Sequence, residues 1–303
     1  MNIWKIFKEN MHISYSMMNV AKQCWKKYEW KYVHSLEPID QGPALKLGVI
    51  IHDAFYAYYN GLSDILTSDM IEKKFYEEMD KVEQSDIESV QILQAIALGM
   101  WNSFPKDRHQ FQSILPEHPF VMNFNGMPIE GRLDGLIQKD DKWWVRELKT
   151  TSLQARNFKE RANISEQASL YFWAARKMGF PVQGVMYDAL HKPLLRKNQS
   201  ENASDFAIRI RLDYKNRPEH YYQREFVYKT ETDIKNFEED LASFQSDLLS
   251  KWKNGGFYRN HNSCLSFNSQ CQYFPICFSD KLDPLVLNLF YTKKELKNEA
   301  VEH

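Results

Sequence analysis

The spacing of apolar residues changes along the chain and divides it into helical and strand segments. Before residue 116, apolar side chains recur three and four positions apart, which is the period of a helix with one buried face. Hydroxyl residues at the start of the first segment and Asn60-Gly61 after the second are typical helix boundaries. Helices are therefore predicted over Ser14–Tyr32, Leu45–Tyr59, Ser68–Asp80 and Asp86–Phe104.

After Pro116 the period shortens to two, which is typical of strands. An antiparallel meander is predicted over Pro119–Phe124, Ile129–Gln138 and Trp143–Thr150. Further strands are predicted over Val182–Leu190 and over a hairpin of Phe206–Leu212 with Tyr222–Tyr228. Further helices are predicted over Asn163–Lys177, with an Asn163/Glu166 capping box, and over Thr230–Trp252. This order of elements predicts an α/β fold in which a mixed sheet is flanked by helices.

The length of the chain suits one large domain. Its 303 residues, of which 43% are hydrophobic, can bury a sizeable core, and no linker rich in proline, glycine or serine marks a boundary. We therefore expect one domain in four parts: N-terminal helices (1–62), a helical insertion (63–115), a sheet core (116–230), and a long helix with a cysteine-rich segment (231–303).

Hydropathy indicates where the protein is located, whereas its net charge does not indicate which kind of partner it binds. The formal net charge is −1, from 39 basic and 40 acidic residues, which neither indicates nor excludes nucleic acid. Local basic clusters occur, for example at Arg156, Lys159 and Arg161, and each is by default a solvated face. The sequence has no run of about 18 apolar residues, and its start lacks the apolar segment of a signal peptide. A cytoplasmic protein without a membrane partner is therefore expected.

The four cysteines are unevenly placed. Cys24 lies near the start of the chain, whereas Cys264, Cys271 and Cys277 lie close together near its end. In an intracellular protein, such a group is better explained by a bound metal than by disulfides. The spacing has no Cys-x-x-Cys pair of the kind common in structural zinc sites, although zinc and unrelated buried thiols remain alternatives.

The segment Gly131–Thr151, GRLDGLIQKDDKWWVRELKTT, is the strongest candidate for chemistry. If Asp140-Asp141 is the two-residue turn of a hairpin, Asp134 lies opposite Glu147, and Lys149 shares their face. The carboxylates would then be roughly 5 Å apart at Cβ and would repel each other without a cation between them. Carboxylate oxygens suit Mg2+ or Mn2+, and an ammonium can offset charge that builds on a phosphoryl centre. On these residues alone, a solvated acidic face remains the alternative.

This hairpin resembles the active-site hairpin of PD-(D/E)XK nucleases, through Gly131-Arg132-Leu133-Asp134 followed by Glu147-Leu148-Lys149. Leu133 stands where the family's name places a proline. The resemblance is closest to the RecB-type branch, in which a helical histidine precedes the hairpin and a Gln-x-x-x-Tyr motif follows it. His52, in GVIIHDAFYAYY, and the motif QASLY at Gln167–Tyr171 stand in that order here. The resemblance implies a restriction-endonuclease-like fold and metal-dependent hydrolysis of DNA.

The resemblance also implies a role for each matching residue. The ligands of Mg2+ or Mn2+ would be His52, Asp134, Glu147 and the backbone carbonyl of Leu148. Lys149 would activate or place the hydrolytic water, and Gln167 and Tyr171 would orient Lys149 or the nucleic-acid backbone. Glu117, just before the first strand of the meander, is a further acidic residue outside this expected set.

The cysteines resemble those of the iron–sulfur branch of RecB-type nucleases, which includes AddB-type subunits and CRISPR-adaptation exonucleases. In that branch one cysteine precedes the nuclease core, three follow it, and the four hold a [4Fe-4S] cluster. The matching residues here are Cys24, Cys264, Cys271 and Cys277. Four thiolates satisfy such a cluster, and the long loop that it would close indicates a mainly structural role.

These features predict a metal-dependent DNA exonuclease of recombination, repair or DNA degradation, with single-stranded ends as the substrate that the resemblance favours. The sequence has no Walker P-loop, so a helicase or recombination protein is an expected partner. One alternative is a structure-specific or sequence-tolerant endonuclease with the same residues, which would cut circular single-stranded DNA. Another is a non-catalytic DNA-binding iron–sulfur subunit of a larger complex, for which a broken ligand set is expected.

Overall fold

The computed structural model describes residues 12–39, 42–83, 86–152, 155–266, 269–278 and 283–293. The strands are β1 Ile13–Ser14, β2 Leu36–Pro38, β3 Ser113–Phe124, β4 Met127–Lys139, β5 Lys142–Thr151, β6 Val182–His191, β7 Tyr222–Tyr228, β8 Leu265–Ser266, β9 Ser269–Gln270 and β10 Tyr291–Lys293. The α-helices are α1 Tyr15–Gln23, α2 Trp25–Tyr28, α3 Gly42–Tyr59, α4 Asp64–Met79, α5 Ile87–Ser103, α6 Ala155–Asn163, α7 Glu166–Lys177, α8 Ala203–Asn216, α9 Pro218–Tyr221, α10 Glu231–Asn254, α11 Phe274–Cys277 and α12 Pro284–Phe290.

The chain forms two compact units. The sheet unit comprises Gly42–His118 and Leu133–Asp233. The cysteine unit comprises Met1–Gln41, Pro119–Arg132 and Ile234–His303. No helix in the described part of the chain is both long and apolar enough to cross a bilayer.

The sheet unit contains a mixed sheet. β4 and β5 are antiparallel, β5 and β6 are parallel, and β6 and β7 are antiparallel. Helices α3 and α7 pack against β5, α7 also packs against β6, and α6 packs against β7. This arrangement confirms the predicted α/β class with a mixed sheet flanked by helices, and it is consistent with a restriction-endonuclease-like fold.

The β4–β5 hairpin has the predicted register. Its turn residues Asp140 and Asp141 have φ angles of 50° and 60°, as a two-residue type I′ turn requires. Pairs run from Lys139 with Lys142 to Gly135 with Arg146. The next position places Asp134 opposite Glu147, because the register of an antiparallel pair continues one residue at a time.

Helix α3 is held against the sheet by its apolar face. Leu47, Ile51 and Phe55 are almost completely buried, and they share a hydrophobic core with Trp144 and Leu148 of β5. The guanidinium of Arg146, which neighbours Glu147 on β5, lies 5.0 Å from the ring centroid of Phe55 and 4.2 Å from that of Tyr59. These contacts hold the helix that carries His52 beside the strand that carries Glu147 and Lys149.

A buried ion pair joins β5 to its parallel neighbour β6. Nε of Arg146 donates to Oδ2 of Asp188 at 2.8 Å, and both side chains are at most 3% exposed. The other carboxylate oxygen accepts from Arg224 of β7 at 2.8 Å and from the hydroxyl of Tyr222 at 2.6 Å. Burial raises the pKa of Asp188, but the two guanidinium groups outweigh it and hold this pKa below its usual value.

The predicted strand Phe206–Leu212 is wrong. The segment lies inside α8, whose N-cap Asn202 accepts a hydrogen bond from the Asp205 amide at 2.8 Å. The alternation of isoleucine and arginine over 208–211 imitates a strand, whereas the buried residues Phe206, Ile210 and Tyr214 follow the helical period. Strand β7 consequently pairs with β6.

Several predicted helix boundaries also differ; the helix predicted from Ser68, for example, begins at Asp64 after the N-cap Ser63. Asn163 ends α6 and does not begin the next helix; Ser165 caps α7 by accepting from the Ala168 amide at 3.3 Å. The predicted helix Ser14–Tyr32 is interrupted at Cys24, whose backbone is extended with φ −167° and ψ 118°. A π-helical turn over Glu29–Val33 then ends this region. These breaks depend on local hydrogen bonds, which the spacing of apolar residues in the sequence does not reveal.

The cysteine unit is organised by α10 and by aromatic packing. Trp252 of α10 donates from Nε1 to the hydroxyl of Tyr28 at 3.2 Å. Near the C-terminal part of the unit, the hydroxyl of Tyr273 donates to the carbonyl of Leu36 at 2.7 Å. Residues distant in sequence are thereby brought beside the start of the chain.

Candidate active site

The site in the sheet unit begins with a histidine and a carboxylate. Nδ1 of His52, on α3, lies 3.5 Å from Oδ1 of Asp134 on β4. The other carboxylate oxygen of Asp134 accepts from the backbone N–H of Leu148 at 2.8 Å. The predicted pairing of a helical histidine with the hairpin aspartate is therefore present, and β5 orients the aspartate through its main chain.

Glu147 and Lys149 lie together on β5. Nζ of Lys149 is 2.5 Å from Oε1 of Glu147, while the glutamate side chain is only 1% exposed. The lysine also donates to Oε1 of Gln167 at 2.7 Å, and the Gln167 amide donates to the hydroxyl of Tyr171 at 3.1 Å. The structure thus links the predicted Glu-x-Lys and Gln-x-x-x-Tyr motifs in one chain of contacts.

Glu117 joins the site although the expected ligand set did not include it. Ligand atoms of His52, Glu117 and Asp134 all lie within 4.8 Å of one another. Glu117 lies inside β3, not just before a strand, and has a φ of 48°, in the left-handed region that a glutamate rarely adopts. Such an outlier costs free energy and is typical of functional sites. Its only sequence signal is an acidic residue between Pro116 and His118.

Two other predicted metal ligands, Glu147 and the backbone carbonyl of Leu148, are not part of this converging set of three side chains. Glu147 is not one of the three side chains whose ligand atoms converge within 4.8 Å. Leu148 is 1% exposed and its side chain belongs to the hydrophobic core. Coordination by its backbone carbonyl stays a prediction.

The electrostatics of the site favour the binding of a cation. Burial raises the pKa of Glu147, the Asp134 carboxylate raises it further, and the result is a pKa of about 7. Burial also opposes ionisation of Asp134 and protonation of His52, but their mutual attraction outweighs it, so the pKa of Asp134 is lowered and that of His52 is raised. Neither carboxylate oxygen of Glu147 accepts a well-directed hydrogen bond within the described residues. A divalent cation fits this group, because it adds positive charge beside two neighbouring carboxylates, one of which is buried with a raised pKa.

The four cysteines meet in the cysteine unit. Cys24, Cys264, Cys271 and Cys277 all line one small cavity, and none of them forms a disulfide. The backbone N–H of Asn260 donates to Sγ of Cys24 at 3.3 Å, and that of Cys271 donates to the carbonyl of Cys264 at 2.8 Å. Among the described residues that line the cavity, the charged side chains are Lys27 and Arg259, both basic.

Comparison with protein families agrees with the hairpin geometry. Residues 12–278 match the PD-(D/E)XK nuclease superfamily. The chain belongs to this superfamily. No curated protein matches the chain significantly.

Membership of the nuclease superfamily assigns a coarse activity to the site. PD-(D/E)XK nucleases are metal-dependent enzymes that hydrolyse nucleic-acid phosphodiesters, with Mg2+ or Mn2+ bound through acidic residues, and DNA is the substrate that the superfamily implies. The match spans the segments that carry His52, the hairpin and the Gln-x-x-x-Tyr motif. The converging ligands and the lysine beside them therefore lie within the matched nuclease region.

Proposed function

We propose that this protein is a DNA exonuclease that degrades single-stranded ends during recombination, repair or degradation of DNA. The observation that carries the proposal is the complete site: His52, Glu117 and Asp134 converge, and Lys149 lies beside Glu147. A non-catalytic DNA-binding subunit has no need for this set, in which Glu147 is buried despite the desolvation cost of its charge. The intact set therefore favours an enzyme.

His52, Glu117 and Asp134 would hold the ion, with Glu147 as a further carboxylate ligand. Mg2+ or Mn2+ bound there supplies Lewis acidity and promotes ionisation of water at neutral pH. Asp134 keeps its orientation through the N–H of Leu148, and His52 is oriented by the helix that packs on β5. The protein thus arranges the ligands before substrate binds, which lowers the reorganisation needed during reaction.

Lys149 is the group placed to act on the substrate phosphate. Its side chain is about one-third exposed, so it is accessible to solvent while its ammonium contacts Glu147 and Gln167. A cation in this position stabilises the negative charge that increases on the phosphoryl oxygens, and it can orient the water that attacks phosphorus. Gln167 and Tyr171 act through Lys149, as positioning residues.

A basic helix supports a nucleic-acid substrate. Phe158 of α6 packs edge-on against Tyr187 and His191 of β6, at centroid distances of 5.8 and 6.2 Å. The outer side of α6 exposes Arg156, Lys159 and Arg161. Exposed guanidinium and ammonium groups are the usual contacts of a phosphate backbone.

The exonuclease part of the proposal is tested by the topology of the substrate. Linear single-stranded DNA labelled at one end, linear duplex DNA and circular single-stranded DNA are each incubated with the protein and Mn2+. The proposal predicts mononucleotides or short products from the linear single strand and no cleavage of the circle. Cleavage of the circle at a comparable rate would show an endonuclease. Faster degradation of the duplex would contradict the single-strand preference.

The cysteine site supports assignment to the iron–sulfur branch of RecB-type nucleases. We propose that Cys24, Cys264, Cys271 and Cys277 hold a [4Fe-4S] cluster. The basic residues Lys27 and Arg259 beside the cavity would balance the negative charge of four thiolates, and the Asn260 N–H donates to one of the sulfurs. When bound, the cluster would tie Cys24 to the C-terminal cysteines and stabilise the unit.

The cellular setting follows from the same features. Free thiols suit a reducing compartment, and a cytoplasmic location is part of the proposal. Because the sequence has no Walker P-loop, the protein would depend on a helicase or recombination protein to expose its single-stranded substrate.

A further inference from the structure

A cleft in the cysteine unit has a volume of about 690 Å³. One wall is a face of α10, where Asp240, Ser243, Phe244 and Asp247 recur at helical spacing. The opposite wall runs from Tyr258 to Asn262, and the end of α1 with Cys24 and Trp25 completes the lining. The volume lies within the range of about 300–1,000 Å³ that is typical of ligand sites. No residue of the nuclease site lines this cleft.

An aromatic ring in this cleft is left open to solvent. The side chain of Tyr258 is 59% exposed, although it lines a concave site. Nζ of Lys251 lies 4.6 Å from the ring centroid of Tyr258 and 5.7 Å from that of Trp25. Within the described chain, Lys251 makes no ion pair with a carboxylate. This ammonium therefore lies beside two aromatic rings of the cleft, although Lys251 itself is not among the lining residues.

We infer that this cleft binds an unpaired base of single-stranded nucleic acid together with its phosphate. The base stacks on Tyr258, and the phosphate lies against Lys251. The carboxylates of Asp240 and Asp247 on the opposite wall accept hydrogen bonds from base amino groups, as acidic side chains do from cytosine. The cations Lys22 and Arg259 also line the cleft, so its charged lining is of both signs. A simple phosphate ion would meet the two carboxylates as well as these cations and leave the aromatic ring uncovered. A flat base linked to a phosphate satisfies both the aromatic and the charged lining.

The cleft is built before any ligand arrives. The backbone carbonyl of Tyr258 accepts from the Lys26 amide at 3.0 Å, and the Asn260 side chain donates to the carbonyl of Gln23 at 2.8 Å. These contacts hold the 258–262 wall through main-chain and Asn260 groups. The Tyr258 ring is not needed for them, so its replacement is expected to leave the fold intact.

The test measures binding of a short, fluorescently labelled DNA single strand to the full-length protein, with EDTA present to prevent cleavage. Tyr258→Ala is expected to raise Kd about 5- to 150-fold, because base stacking on an aromatic ring contributes that range of affinity. Tyr258→Phe, which keeps the ring, is expected to bind like the wild type. Tyr76→Ala is the matched control, because Tyr76 has the same 59% exposure but lies on α4.

The phosphate contact has its own readout. Lys251→Gln is expected to reduce the slope of log Kd against log salt concentration by about 0.7, the value for one phosphate contact on a single strand. An unchanged slope would remove Lys251 from the site. Unchanged affinity in Tyr258→Ala, or no binding by the wild type, would overturn the inference.

The identity of the ligand rests on the proposed function, but separate experiments test the nuclease activity and the base-binding cleft. Binding that depends on Tyr258, in a protein that degrades no DNA with Mn2+, would contradict the nuclease proposal and leave the base site standing. If the protein degrades DNA but Tyr258→Ala binds single-stranded DNA with the same Kd as the wild type, only the proposed base site is contradicted.

Discussion

Nζ of Lys149 donates to Oε1 of Gln167 at 2.7 Å, which joins strand β5 to helix α7. The glutamine accepts this bond without adding a charge next to Glu147. The amide of Gln167 is itself oriented by the hydroxyl of Tyr171, 3.1 Å away. A motif on a neighbouring helix therefore determines the direction of the side chain that would act on phosphate.

Gln167→Ala should lower kcat by about 10- to 100-fold, because Lys149 then loses its orientation but keeps its charge, and small displacements of a reacting group cost this much. The effect on KM should be smaller, and the unfolding midpoint should change little. Tyr171→Phe should reduce kcat less than Gln167→Ala does. Steady-state kinetics with Mn2+ measure both variants. Equal activity of Gln167→Ala and the wild type would contradict a positioning role.

Glu117→Gln should weaken binding of Mn2+ by about 10- to 100-fold, because it removes one negative ligand from a site with three converging side chains. Titration calorimetry with Mn2+ measures the change directly, without substrate. Glu83→Gln is a suitable control, since this glutamate is exposed on the same unit. An unchanged affinity would show that the strained residue serves another purpose.

Asp188→Ala should destabilise the protein by about 3–5 kcal/mol, because it leaves Arg146 buried without its partner. Urea unfolding measures the loss. Asp69→Ala, at an exposed position, should change stability by less than about 0.5 kcal/mol. If Asp188→Ala destabilised the protein as little as Asp69→Ala does, the ion pair would contribute little to stability.

The same carboxylate should contribute to acid sensitivity. Folding lowers the pKa of Asp188, so its stabilisation is present above the pKa of the unfolded carboxyl and is lost as the pH falls through the lower folded value. The difference in stability between the wild type and Asp188→Ala should therefore shrink below about pH 4.

Protein purified without oxygen should be brown, with broad visible absorption and about four iron atoms per chain, as a [4Fe-4S] cluster requires. Cys271→Ala should lose the colour and unfold at a lower temperature. Iron analysis and absorption spectroscopy measure the first result, and thermal unfolding measures the second. A colourless protein that contains one zinc per chain would refute the cluster.

The hairpin and its chemistry could be predicted because local rules determine them. The Asp140-Asp141 turn sets the register, and the observed pairs extend to Gly135 and Arg146, the residues next to Asp134 and Glu147. His52 and the Gln167 motif were found through resemblance, since nothing in their local spacing shows that α3 and α7 meet the hairpin. Their placement depends on packing between distant segments.

The place of Glu117 in the site and the helical conformation of Phe206–Leu212 could not be predicted from the sequence. Glu117 has a positive φ of 48°, and no pattern of residues in the sequence predicts this backbone conformation. In α8, alternating isoleucine and arginine suggest a sheet, but the Asn202 cap and burial of Phe206 and Ile210 favour a helix. Tertiary packing outweighs the short alternating pattern.

The rate of Mn2+-dependent degradation of linear single-stranded DNA by the wild type and by Asp134→Asn tests the central claim most directly. The asparagine keeps the size of the side chain and an acceptor for the Leu148 N–H, but it removes the charge that would bind the ion. Asp141→Asn, in the hairpin turn, is the control. We predict rapid degradation by the wild type and the control and none by Asp134→Asn at equal folded concentration. Full activity of Asp134→Asn would contradict the claim that this carboxylate holds the catalytic metal.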